Sequence, residues 1–142
     1  MAPNLAPVLA AAERYDGRFA DLVRFLLPTM ARVVGGSSIG GVVKMVIGES
    51  RNFPELARVW HDALVGPAVA AVSGVIARCQ AKGEVRPGDP RIFALELISP
   101  MLVALIWRET FAPIGAPAFD LEAVAQQHAE TALRGMLTEP GP

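Results

Sequence analysis

The sequence has 142 residues, of which 52% are hydrophobic and 19% charged, and its formal net charge is −1. This length suits one domain, the hydrophobic fraction excludes a disordered chain, and the balanced charge gives no net attraction to nucleic acid. The only cysteine, Cys79, excludes an internal disulfide and a thiolate metal cluster. We therefore expect a single domain with its own hydrophobic core.

The sequence shows no pattern typical of a secretory signal or of a membrane-spanning segment. Residues 1–12 contain no Lys or Arg, unlike the basic start of a secretory signal. The longest apolar run without a charge, residues 63–77, is interrupted by Gly66, Pro67 and Gly74. A membrane span takes about 20 apolar residues. We therefore expect a cytoplasmic protein with no membrane partner.

Apolar residues recur at helical spacing along nearly the whole chain, and no stretch shows a convincing strand period of two residues. The first predicted helix covers about residues 5–34 and is weakened or bent at Gly17 and Pro28. The second covers about residues 39–49, after a Gly-Gly-Ser-Ser break.

Three further helices are predicted from turn and cap residues. One covers about residues 54–82, with a kink near Gly66-Pro67 and an end at Gly83, where a left-handed residue satisfies the last carbonyls. The next, about residues 90–111, begins after Asp89 and bends at Pro100, and the last covers about residues 121–137 after Asp120. The fold class is therefore all-α, a single-domain bundle of about five helices.

The last two helices carry more apolar surface than one small core can cover. The helix at residues 90–111 is apolar on almost every side, which is typical of a helix buried on both faces. We expect these two helices from each of two chains to form a four-helix bundle around a two-fold axis. The alternative is a monomer in which the N-terminal helix covers this surface. The predicted dimer interface consists of Leu102, Ile106, Leu121, Val124, Ala125, His128 and Ala132.

Flexible methionines and flat aromatic side chains suit a cavity for apolar ligands. For each of them plain core packing is the simpler alternative. Glu96 differs, because a carboxylate inside the most apolar helix is costly unless it is paired. It either reaches solvent, pairs with an arginine or faces a ligand, and pairing is favoured. The candidate ligand-binding residues are Phe25, Met30, Met45, Trp60, Leu64, Glu96, Met101 and Trp107.

No group of residues indicates catalysis, a metal or a cofactor. The neighbours His61 and Asp62 point about 100° apart on an α-helix, and the two histidines lack a metal-binding spacing. A small helical enzyme that uses Glu96 as an acid or base is the least supported alternative. We expect a protein that is not an enzyme and that holds neither a metal nor a cofactor.

Two turns resemble segments of the TetR-type transcriptional repressors. Residues 46–56, Val-Ile-Gly-Glu-Ser-Arg-Asn-Phe-Pro-Glu-Leu, resemble a helix that ends in glutamate before an aromatic-proline-glutamate-leucine start. Residues 81–86, Ala-Lys-Gly-Glu-Val-Arg, followed by Asp89-Pro90, resemble the family's glycine-acid-hydrophobic-arginine turn before the penultimate helix. The resemblance covers roughly residues 22–137.

The resemblance implies that residues 1–142 form the C-terminal domain of such a regulator. In the family this domain binds a small hydrophobic or amphipathic effector among its helices and forms a homodimer through its last two helices. Family members bind DNA through an N-terminal helix-turn-helix headpiece, which is absent from this chain, so we expect DNA binding only through a headpiece outside it. The alternative is a free-standing helical module that binds a small molecule without DNA binding.

Overall fold

The computed structural model of the protein describes residues 4–139. Within that range a π-helical turn, His61–Val65, joins two helices into one continuous rod, and a short 3-10 turn, Ala112–Ile114, follows the longest helix. The prediction of an all-α domain is confirmed. The α-helices of the described range are α1 (Ala6–Arg14), α2 (Phe19–Gly35), α3 (Ile39–Glu49), α4 (Pro54–Trp60), α5 (Gly66–Ala81), α6 (Pro90–Thr110) and α7 (Leu121–Met136).

The first predicted helix is in fact two helices, α1 and α2. Distant residues hold the break between them. The Arg78 guanidinium donates to the carbonyl oxygens of Glu13 and Tyr15, at 2.9 and 3.0 Å, at the end of α1. The Glu84 carboxylate accepts a hydrogen bond of 2.7 Å from the Phe19 N–H, at the start of α2. The carbonyls at the end of α1 are thus bound by a cation, and the N–H at the start of α2 by an anion, both from distant parts of the chain.

The predicted kink at Gly66-Pro67 takes the form of the π-turn that precedes it. Pro67 has no N–H, and its ring crowds the carbonyl one turn earlier. In the wider turn the Gly66 N–H donates to the carbonyl of His61, five residues back. The helix therefore passes the proline and continues to Ala81.

The predicted end of α5 and the predicted starts of α6 and α7 are confirmed. Gly83 has φ +79°, and its N–H and that of Glu84 donate to carbonyls in the last turn of α5. The Asp89 carboxylate accepts from the backbone N–H two residues later, at 2.8 Å. Asp120 accepts from the backbone N–H of Ala123 at 3.0 Å.

The core lies between α2, α5, α6 and α7, and α7 packs along α2. Two ion pairs join these two helices at the surface, Arg24 with Glu130 at 2.7 Å and Arg32 with Glu122 at 2.8 Å. The hydrogen bond from Arg24 lowers the pKa of the Glu130 carboxyl below its usual value. The largest fully buried side chains are Leu27, Ile76, Leu97, Leu105, Val23 and Val85.

Two helical segments pass a membrane-span criterion that the longest uninterrupted apolar run, residues 63–77, did not suggest. Pro54–Ala81 and Pro90–Ile114 meet the length and mean hydropathy of a membrane-crossing helix, although polar residues interrupt their apolar runs. The bent pair α2 and α3, at 81°, meets these criteria only if taken as one span. Within the chain only 28% and 33% of the two most apolar windows are buried. The fold thus leaves apolar helix surface uncovered.

Substitution by alanine at two glycines of the α5 region should change the free energy of unfolding in opposite directions. Gly83→Ala places a Cβ on a left-handed residue and should cost roughly 1–2 kcal/mol, with no atom within 4 Å to clash. Gly74→Ala, in the exposed interior of α5, should gain roughly 0.5–1 kcal/mol. Urea unfolding at one protein concentration measures both. A Gly83→Ala protein as stable as the unmodified chain would show that the left-handed turn does not limit stability.

Candidate ligand pocket

A cavity of about 160 Å³ lies among the helices, bounded by α2, α3, α6 and the start of α5. It also touches the residue before α1 and the first residue of α7. All fifteen lining residues are apolar: Leu5, Met30, Ala31, Val34, Ile39, Val43, Leu64, Val65, Ala68, Val69, Ile98, Met101, Leu102, Leu105 and Leu121.

The cavity is deep at one end and open at the other. Ile39 and Leu105 in its wall are 3% and 1% exposed, whereas Val65 and Leu102 are 50% and 38% exposed. The mouth therefore lies where the π-turn faces α6. A ligand that enters here passes between two aliphatic side chains before it reaches the core.

Three of the predicted ligand-binding residues share this cavity, namely Met30, Leu64 and Met101. The prediction missed most of the remaining wall, which consists of short aliphatic side chains rather than methionine and aromatic residues. Ile39 and Val43 are one helical turn apart on α3 and face the cavity together. This spacing of four residues between two apolar side chains could have indicated a cavity-facing side of α3 from the sequence.

Four other predicted residues lie outside the cavity lining. Phe25 and Met45 are 59% and 48% exposed, and Trp60 packs against the edge of the core. The Trp107 Nε1–H donates to the Pro117 carbonyl at 3.0 Å, and its ring lies 5.4 Å from that of Phe119. Trp107 thus stabilises the linker between α6 and α7 through these two contacts. Helical spacing indicated an apolar interior, but it did not show which way each helix turns toward its neighbours.

Glu96 is exposed and does not line the cavity, which corrects the prediction of a ligand-facing carboxylate. Its neighbour Leu97 faces the core at 1% exposure, and a step of one residue turns the side chain by about 100°. Among the described residues the Glu96 carboxylate forms no ion pair, so the favoured arginine pairing is not seen, and the Glu96 backbone carbonyl accepts a hydrogen bond from His128 Nε2 at 3.1 Å. The acid–base role considered for this residue therefore has no buried site.

Helices α6 and α7 present a second candidate site, a surface that we call the outer α6–α7 face. On α6 it is apolar and exposed at Leu95 (61%), Val103 (60%) and Leu102 (38%). Of the predicted interface residues, Ile106, Val124, His128 and Ala132 are half-buried. Leu121 and Ala125 instead lie in the chain's own core, at 8% and 0% exposure. The outer α6–α7 face consists of Ile92, Leu95, Leu102, Val103, Ile106, Val124, His128 and Ala132.

Helix α1 begins at the wall of the cavity. Leu5, the residue before α1, is 5% exposed and lines the cavity. At the other end of the helix, Arg78 holds the carbonyls of Glu13 and Tyr15. A change in the cavity wall at Leu5 therefore acts on a helix whose far end is fixed.

Polar groups outside the cavity do not form a metal site among the described residues. The described residues contain no group of three or more His, Cys, Asp and Glu side chains that is placed to hold a metal ion. His61 Nδ1 and Asp62 Oδ1 are 3.0 Å apart, closer than an α-helix was expected to place them, and both side chains are exposed. Cys79 is 4% exposed, and burial raises the pKa of its thiol.

Ala68 and Ala71 allow a controlled test of the cavity, because both are 8% exposed residues of α5. Ala68 faces the cavity of about 160 Å³, whereas Ala71 faces a gap of about 10 Å³. Ala68→Leu should leave stability unchanged or raise it, since the added carbons occupy empty space. Ala71→Leu should cost roughly 1–3 kcal/mol through overpacking. Urea unfolding distinguishes the two, and equal losses would contradict the cavity.

Comparisons with known proteins identify the domain. The sequence profile of the family described as tetracyclin repressor-like, C-terminal domain, matches residues 16–118. The fold resembles a crystal structure from Mesorhizobium loti described as a TetR-family transcriptional regulator, with a TM-score of 0.74 at 16% identity. That similarity covers 93% of this chain and 65% of the M. loti chain. A comparison with curated proteins found no match. The family profile covers most of the chain, and the protein belongs to the tetracyclin repressor-like C-terminal domain family.

Proposed function

We propose that the chain is the ligand-sensing and dimerisation domain of a TetR-like transcriptional repressor. The observation that carries this proposal is the apolar cavity, whose wall reaches from the residue before α1 to the start of α7. Membership in a regulator family supports a role in transcription rather than catalysis. On this proposal residues 1–142 form one cytoplasmic domain, and DNA binding belongs to a headpiece outside them.

The cavity supports binding of a small hydrophobic or amphipathic effector. Protein interiors are close-packed and leave few voids larger than a water molecule. The neighbouring core between α2, α5 and α6 follows this rule, with a gap of only about 10 Å³. A void of about 160 Å³ in the same molecule costs stability, and a bound ligand that fills it restores the lost contacts.

The outer α6–α7 face supports a homodimer. Leu95 and Val103 are about 60% exposed within one chain, on a helix whose opposite side is fully buried. Contiguous apolar surface of this kind marks an interaction site, and a two-fold axis lets the same face cover itself. Leu121 and Ala125 are left out of the proposed interface because they are already covered. The partner is a second copy of this chain.

On this proposal, movement of helix α1 transmits effector binding from the cavity to the headpiece. An effector that presses on Leu5 displaces the start of α1, while Arg78 fixes its end. The start of α1 then moves relative to the rest of the domain. In a dimer such movement alters the separation of the two headpieces and hence their fit to the two half-sites of an operator.

Val103→Asp should convert the dimer to a monomer, because two-fold symmetry would bury two unpaired carboxylates in the interface. We expect the dimer dissociation constant to rise by at least about tenfold. The matched control is Val59→Asp on α4, where the valine is 62% exposed compared with 60% for Val103. Sedimentation velocity measures the oligomeric state of both variants and of the unmodified chain. A Val103→Asp protein that remains dimeric would exclude the outer α6–α7 face as the interface.

A further inference from the structure

The size of the cavity limits what it can hold. An engineered apolar cavity of about 150 Å³ in another protein stays dry and binds benzene. The cavity here has about 160 Å³ and is closed at its inner end by Ile39 and Leu105, which are almost fully buried. It therefore has room for one group of about six carbon atoms.

The chemistry of the wall limits the ligand further. Every side chain that lines the cavity is apolar, and the lining residues on α2, α3, α5 and α6 lie in helices whose backbone groups bond one another. Within the described residues no side chain of the wall offers a partner to a hydroxyl, amide or carboxylate. A polar group carried inside would lose its hydrogen bonds to water and gain none.

We propose that the cavity is selective for one benzene-sized hydrocarbon group, either an aromatic ring or a compact alkyl group. Any polar end of the ligand stays at the mouth beside Val65 and Leu102, where water is available. This inference rests on the proposed function, since it names the class of effector that the same cavity binds. It excludes ligands that are polar at both ends.

Two ring compounds of the same shape test the proposal with the unmodified chain. In p-xylene and hydroquinone the para substituents are methyl and hydroxyl, so hydroquinone must carry one hydroxyl inward whichever way it enters. We expect benzene and p-xylene to bind saturably and hydroquinone to bind about 10- to 100-fold more weakly. Calorimetric titration measures the affinities, and a rise in melting temperature with ligand concentration provides a second readout.

The Ala68→Leu variant localises the binding. Because the leucine fills the cavity, benzene binding should be lost, whereas Val59→Asp, at an exposed residue outside the cavity lining, should retain it. The comparison of the two rings needs no variant, so it stands even if Ala68→Leu fails to fold. Retained benzene binding in a folded Ala68→Leu protein would place the ligand elsewhere and overturn the proposal.

The remaining outcomes separate this inference from the proposed function. Hydroquinone binding as tight as that of p-xylene would show a polar partner in the wall and overturn the inference alone. If neither hydrocarbon binds but another small molecule copurifies with the chain, the ligand class is wrong and effector sensing stands. If no ring binds and nothing copurifies, both the ligand class and the effector role fail.

Discussion

Helix α6 is apolar on nearly every side, and the rest of the structure depends on what covers its two faces. One face, with Phe93, Leu97 and Leu105, is buried against α5 and α7. The other, with Leu95 and Val103, is about 60% exposed within the part of the chain that the structure describes. Hydrophobic burial is worth about 25 cal/mol per Å² of apolar surface, so the uncovered face is a substantial source of association free energy. We infer that a second copy of the chain supplies the missing cover.

The cavity lies along one edge of the same helix. Leu102 lines the cavity and also belongs to the outer α6–α7 face, so the two proposed sites share a side chain. Leu5, which also lines the cavity, is the residue immediately before α1. A ligand in the proposed site would therefore touch both a side chain of the proposed interface and the residue immediately before α1. This arrangement suits a domain in which binding of a small molecule alters the relation between two subunits.

Local sequence signals predicted much of the fold. Gly83, Asp89 and Asp120 act through hydrogen bonds within a few residues, so the helix ends beside them could be predicted from the sequence. At the break between α1 and α2, Gly17 indicated only a weakened helix, because the full break is held by Arg78 and Glu84 from more than 60 positions away. For the cavity, too, local sequence predicted one part and the packing of the helices decided the other. Apolar character was predicted, but the direction of each side chain depends on how the helices pack.

Native mass spectrometry of the purified chain tests the central claim most directly. We predict a species at twice the chain mass, carrying bound small-molecule mass that organic extraction removes. The dimer would support the outer α6–α7 face as an interface, and the extracted molecule would identify the ligand class. A bare monomer would contradict both. In that case the family fold would remain, and the apolar surface of α6 would need another explanation.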